Sequence, residues 1–157
     1  MKTLKGIAAS SGIVIGKAYV LDSEEMVIEK RIIKESMIPR EITRFQDALT
    51  ETRAEIQKIR DKISKEISQD HGDIFNAHLM ILEDRAIIEE VMEGIKKEKL
   101  NAEHIFSQVL RKHVQAFLKI DDEYLRERVS DISDVGRRIL RHLVGDRRAS
   151  LSEIKEK

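Results

Sequence analysis

Ile42, Phe45, Leu49, Thr52, Ile56, Ile59 and Ile63 follow one another at alternating intervals of three and four residues. On an α-helix that spacing lines a single face, because side chains three and four apart stand over one another. The stripe predicts a helix of roughly 28 residues, about 42 Å at 1.5 Å per residue. Pro39 suits its first turn, and Glu41 complements the helix dipole there. A rod this long with one apolar seam needs partner helices in water. Because further stripes follow in the same chain, an intramolecular bundle is the reading and a free coiled coil the alternative.

The next stripe is wider. Residues 75–84 read FNAHLMILED, one histidine and one methionine among aliphatics, closed by two carboxylates. His78 and Leu82 share a helical face with Phe75, while Ile74 and Ile81 wrap around the next. More apolar surface than one neighbour can cover means either deep burial or a face held open for a partner. His71-Gly72-Asp73 breaks the pattern before this stretch. The helix then runs to about Leu82, and a further segment over 84–97 carries Ile87, Ile88, Val91, Met92 and Ile95. Glu83 and Asp84 mark either a kink or a cap between two helices.

Asn101 is the expected N-cap of a helix bearing Ile105, Phe106, Val109, Leu110, Val114, Phe117 and Leu118. The last stripe, Leu125, Val129, Ile132, Val135, Ile139, Leu140 and Leu143, begins after Asp121 and ends in basic residues and Gly145. Gly136 inside it costs about 1 kcal/mol against alanine, which a close helix crossing would explain. The fold class is mainly α: a four-to-five-helix antiparallel bundle of helical hairpins over 37–145.

The two ends differ from this body. Residues 4–21, LKGIAASSGIVIGKAYVL, hold three of the seven glycines and two β-branched or apolar runs around a Ser-Ser-Gly turn. They predict two short strands, which need a sheet supplied from elsewhere. Residues 22–37 form a charged connector with a possible extended piece at 26–33, so 1–36 is expected to belong to another domain, incomplete here, into which the bundle is inserted. The polar segment 146–157 is expected to begin the return to it.

Lys and Arg number 29, as do Asp and Glu, so no net field recruits nucleic acid or an anionic membrane. No aromatic-studded basic stripe is present, and no run approaches ~18 apolar residues. There is no cysteine, hence no disulfide, thiol catalysis or zinc–cysteine site. Cytosolic residence is the expectation. The five histidines, at 71, 78, 104, 113 and 142, include no i,i+4 pair; no HExxH, Walker loop or Ser-His-acid constellation stands out, so neither catalytic residues nor a metal site are expected. His78 has two readings, a hydrogen-bonded core or boundary histidine or a contact histidine in a partner groove; periodicity favours the first. Met80 likewise favours core over contact, although methionine suits an adaptable surface. Arg128 is read as a solvated ion pair.

Three segments together, LKGIAASSGIVIGKA, FNAHLMILEDRAIIEEV and DDEYLRERVSDISDVGRRILRHLVG, resemble the N-terminal part of enzyme I, the phosphoenolpyruvate-protein phosphotransferase family of the bacterial sugar phosphotransferase system. The first segment departs from the family's Ser-Pro-Gly turn, with Ser10-Ser11-Gly12. The resemblance implies that the bundle docks HPr, the small histidine phosphocarrier, and that the N-terminal strands belong to a phosphohistidine-bearing α/β domain. It places the docking surface at Asp70, His78, Met80, Ile81, Asp84, Ile87, Tyr124 and Arg128. It implies phosphoenolpyruvate and Mg2+ for the intact enzyme, a homodimer, and no cofactor in this segment, which alone would be an inactive, monomeric HPr binder. Gln69, Asn76 and Ala86 stand where the family can place acidic residues, predicting a weaker salt dependence of docking. The alternatives are a freestanding helical adaptor or oligomerising bundle, or the same segment of a nitrogen-regulatory or dihydroxyacetone-linked paralogue.

Overall fold

The computed structural model describes residues 28–121 and 123–145, with 11–13, 15, 16 and 26; for 123–127 it describes the backbone alone. The strands expected within 4–21 fall on residues most of which lie outside this set, and 146–157 lie wholly outside it. After a single 3-10 turn, Glu35–Met37, come five helices: α1 Ile38–Glu66, α2 Gln69–Leu82, α3 Arg85–Glu98, α4 Ala102–Leu118 and α5 Glu123–Val144.

Cross-helix pairs fix their directions. Gly72 lies against Ser64, Glu83 pairs with Arg53 at 2.7 Å, and Met92 Sδ lies 4.0 Å from Gln46 Nε2, so α2 and then α3 run antiparallel to α1. The two fourteen-residue helices are thus consecutive halves of one broken rod facing the twenty-nine residues of α1. Glu90 pairs with Lys112 while Gly94 packs on Ile105, setting α4 antiparallel to α3. Glu55 meets Arg138, and Arg44 donates to the carbonyl of Leu143, setting α5 antiparallel to α1. The result is an up-down-up-down bundle of four rods. Among the described residues no helix is long and apolar enough to cross a membrane.

The joint between the halves is a cap and not a kink. Asp84 has extended backbone geometry, and its Oδ1 accepts from the backbone N–H groups of Ala86 (2.9 Å) and Ile87 (3.3 Å), satisfying donors that α3 itself cannot pair. The break expected at His71-Gly72-Asp73 is not there. The chain turns earlier, with Ser68 as N-cap, and Gly72 lies inside α2. A Cβ at Gly72 would stand 1.9 Å from Ser64 Oγ and 3.3 Å from the carbonyl oxygen of Arg60. This glycine serves a close crossing between α1 and α2.

Most of the core is built by α1, α4 and α5, with Val91 and Ile95 from α3. Phe45, Ile56, Val91, Ile95, Ile105, Phe106 and Val135 are wholly enclosed, and the Phe45 and Phe106 rings meet with centroids 5.7 Å apart. α2 contributes only Gly72, His78 and Leu82 to the buried set.

A polar clasp closes the opposite end of the bundle from the α1–α2 turn. Ile32 forms an antiparallel bridge with Leu100, within the extended piece expected at 26–33. Asn101 occupies the N-cap position of α4 as expected, but its side chain is engaged elsewhere: it accepts from Arg31 N at 2.7 Å and donates to the Glu29 carbonyl at 2.9 Å. The first N–H of α4, that of Ala102, is satisfied by Glu41 Oε2 at 3.0 Å. Glu41, expected to complement its own helix, therefore caps a different one. Beside it, burial pushes the Glu103 carboxyl upward, but the Asn101 amide, its own backbone N–H, Arg31 and the charge of Arg44 together hold it below the usual carboxylate range. Glu103 Oε2 accepts no well-aligned hydrogen bond and is held by Arg44 Nη2 at 3.3 Å, through charge.

Gly136 faces α4, where an added Cβ would stand 2.3 Å and 2.9 Å from the Leu110 methyls. Helix propensity favours Gly136→Ala by about 1 kcal/mol, but overpacking costs about 1–3 kcal/mol. A net loss of about 1 kcal/mol is expected in urea unfolding, smaller when Leu110→Ala is also present. A stabilised Gly136→Ala chain would show that the crossing is not tight.

Candidate functional site

α2 is too short and too apolar to hide all it carries. Its inward side, Gly72, Phe75, His78, Leu79 and Leu82, meets α1 and α5. Its outward side reads Asp70, Asp73, Ile74, Ala77 and Met80, with Ile81 at its edge packed partly on the core, steps of three and four that keep one face over about 17 Å; Asp84 follows just past the end of the helix. Met80 is 73% exposed and Ile74 61%, with Ile81 half-buried between them. An apolar strip thus lies between carboxylates at both ends.

Asp70 sits exposed in the first turn of α2. Asp73 Oδ1 lies within reach of two amide donors, Gln69 Nε2 at 3.3 Å and Asn76 Nδ2 at 3.2 Å. Two positions where the resemblance allows acidic residues thereby support an existing carboxylate instead of adding charge. At the far end Asp84 has a divided role: Oδ1 caps α3, leaving Oδ2 outside the cap bonds. Ala86 is exposed in the first turn of α3, and Ile87 is half-buried against the core.

His78 lies in the seam, 9% exposed, as the core or boundary reading has it. Its ring packs on Phe75 with centroids 5.5 Å apart, Nε2 lies 3.8 Å from Asp131 Oδ1 on α5, and the enclosed Nδ1 has no partner. Met80 corrects the expectation of core: the run around it is apolar nearly without interruption, so periodicity could not show which side α2 turns outward. Arg128 Nη1 lies 3.5 Å from Asp131 Oδ2. It is partly exposed and ion-paired, as read. Tyr124 falls in the first turn of α5, with its side chain outside the described residues. Asp70 and Met80 therefore stand exposed on α2 with Ile81 half-buried beside them, Asp84 caps the next helix, Ile87 packs with Ile81 against the core, and His78 and Arg128 meet through Asp131.

Sequence reasoning passed over Asp73, Ile74 and Asp131 as site residues. Ile74 was detectable as the residue seven before Ile81; Asp131 carried no signal except its place three residues after Arg128.

Two other histidines, His113 and His142, knit the bundle. His113 meets Glu90 at 2.8 Å, and His142 lies between Glu51 at 2.9 Å and Glu55 at 3.0 Å. The Glu90 carboxyl is held low by the hydrogen bond from Lys112, then by that from His113. Among the described residues no three His, Asp or Glu side chains are placed to hold a metal ion. The chemistry available on this face is recognition: an apolar strip with acidic ends fits an apolar patch with cationic edges.

The family described as PEP-utilising enzyme, N-terminal, matches residues 5–128, through both the outward stripe and the start of α5. The chain belongs to this PEP-utilising enzyme N-terminal family. It is 40% identical over 144 residues to a phosphoenolpyruvate-protein phosphotransferase of Priestia megaterium, and 41% identical over 144 residues to that of Listeria monocytogenes. Each alignment takes in 92% of this chain and 25% of the relative, so the chain spans about a quarter of the length of those proteins. An NMR solution structure of Enzyme I superposes with a TM-score of 0.82 at 40% identity, covering 99% of this chain and 62% of that one. The N-terminal domain of a nitrogen Enzyme 1 superposes with a TM-score of 0.67 over 75% of this chain and 48% of its own; at 23% identity it shows the fold alone. The bundle is therefore the helical fold of this family.

The divided role of Asp84 is separable. Asp84→Asn keeps a capping oxygen and should leave stability within about 0.5 kcal/mol, whereas Asp84→Ala should lose about 1 kcal/mol. Urea melts of both variants check this; equal losses would mean that the charge and not the cap holds the joint.

Proposed function

We propose that this bundle is the docking segment of a phosphoenolpyruvate-protein phosphotransferase and that its partner is HPr. In the intact enzyme phosphoryl would pass from phosphoenolpyruvate to a histidine outside these 157 residues, and from there to HPr seated on α2. Residues 1–36 and 146–157 would belong to the α/β domain carrying that histidine, and the bundle over 37–145 would hold the carrier. Cytosolic sugar uptake is the setting we assign to it. Mg2+ and phosphoenolpyruvate would act in the parts of the enzyme beyond this chain.

One observation carries the reading: the α2 stripe, with Ile74, Met80 and Ile81 exposed or half-exposed between Asp70 and Asp73 at one end and Asp84 at the other. A carrier presenting apolar residues and positive charges around its reactive histidine meets complementary chemistry there, and charge speeds the encounter. The stripe on α2 is about 17 Å long, which suits a small interface that must release its partner after each transfer. Three of the described histidines are poorly placed as a phosphoacceptor: Nδ1 of His78 is enclosed, and His113 and His142 face carboxylates that would repel a phosphoryl donor.

Titration of the 15N-labelled chain with unphosphorylated HPr, at low and at moderate salt, tests the proposal. Shifts should cluster on 70–87 and around Arg128, and Met80→Ala should weaken binding by about tenfold. Raising the salt should weaken it only modestly. Absence of shifts at millimolar HPr would refute the assignment.

A further inference from the structure

One carboxylate ties together two side chains that stand on different helices. Asp131, half-buried on α5, has Oδ1 3.8 Å from His78 Nε2 on α2 and Oδ2 3.5 Å from Arg128 Nη1 one turn earlier on its own helix. Because both helices run antiparallel to α1, they are parallel to each other, so Arg128 lies a turn back along α5, level with the Ile74 and Phe75 part of α2. His78 is locked against Phe75, and its other nitrogen is enclosed without a partner. A neutral imidazole carries its proton on one nitrogen, and among the described residues the polar group recorded near either one is the Asp131 carboxylate. The proton therefore belongs on Nε2, directed at Asp131, with Nδ1 bare.

We propose that Asp131 is a positioning residue for docking: by holding His78 in one tautomer and Arg128 in one place, it sets the rotation of α2 and aligns the guanidinium with the apolar stripe. This rests on the docking role proposed above. The 3.8 Å separation is longer than a hydrogen bond, so the His78 link is electrostatic and depends on the charge of Asp131 more than on its shape. Neither group needs to be lost for docking to weaken; a turn of α2 that tilts Met80 away from the Arg128 edge suffices. Arg128 and the stripe are the surfaces that would meet the partner, while Asp131 acts through them.

The test compares the wild-type chain with Asp131→Asn and Asp131→Glu. Long-range 1H–15N spectra report the two ring nitrogens of His78, and titration with unphosphorylated HPr reports affinity. In the wild type the neutral ring should show a protonated Nε2 and a bare Nδ1. Asp131→Asn should move the His78 nitrogens toward a mixed pattern and weaken HPr binding about three- to tenfold, with amide shifts away from α2 and α5 unchanged. Asp131→Glu should keep the charge and restore most of both. In a chain already carrying Arg128→Ala, Asp131→Asn should cost less than it does alone. If binding weakens while the His78 nitrogens stay as in the wild type, Asp131 touches the partner itself and the inference is wrong. Unchanged affinity in Asp131→Asn beside a binding wild type overturns it as well. A wild-type chain that never binds HPr instead defeats the docking role itself, and the positioning role with it.

Discussion

A fourteen-residue helix cannot bury two sides against one pair of neighbours, and α2 is apolar on nearly all of them. Gly72 lets it press onto α1, and Leu82 and His78 complete the seam with α5. What remains, Ile74 and Met80 above all, has no cover within the described residues. Each such side chain gives up about 1.5–3 kcal/mol of burial by facing water. A bundle that leaves it so, while enclosing Val91, Ile95 and Phe106, spends its packing where stability is needed and keeps apolar surface where a partner can use it.

The break at Asp84 makes that possible. One continuous rod opposite α1 would carry a single helical phase along its whole length; capping and restarting the helix lets α3 bury Val91 and Ile95 while α2 keeps its own rotation. Polar groups bind the frame around this. Glu41 reaches across to the first N–H of α4, Asn101 seizes the connector backbone, and Glu103 stays ionised despite burial because two arginines and an amide surround it. These contacts are inside or half inside, where breaking one partner leaves the other costly to bury. The exposed pairs, such as Arg53 with Glu83, contribute little beyond fixing direction.

The long stripe from Ile42 to Ile63 was legible because one face of α1 is buried along most of its length, so the period of burial and the period of the sequence coincide. Gly136 was legible for a related reason: a glycine in mid-helix is costly unless another helix comes close. Gly72 obeyed the same rule, yet it stands in a polar cluster beside His71 and Asp73, where turn chemistry looked stronger. Met80 was not legible because FNAHLMILED is apolar around its whole circumference, and only the positions of α1 and α5 decide which side is outward. Glu41 and Asn101 were read through their own helices and Asp131 was not read at all, whereas each acts on another segment. Long-range polar contacts leave no periodic trace, and this is where sequence reasoning falls short for both the fold and the site.

Saturation transfer tests the central claim, that α2 holds its outward face open for HPr, most directly. Protons of unlabelled HPr would be irradiated while the methyl groups of a deuterated, methyl-labelled chain are observed. The largest intensity losses should fall on the Met80 methyl and on Ile74 and Ile81, with Ile87 next and Ile32 and Leu118 unaffected. Transfer centred on Ile32, on Leu118 or on no methyl at all would contradict the account.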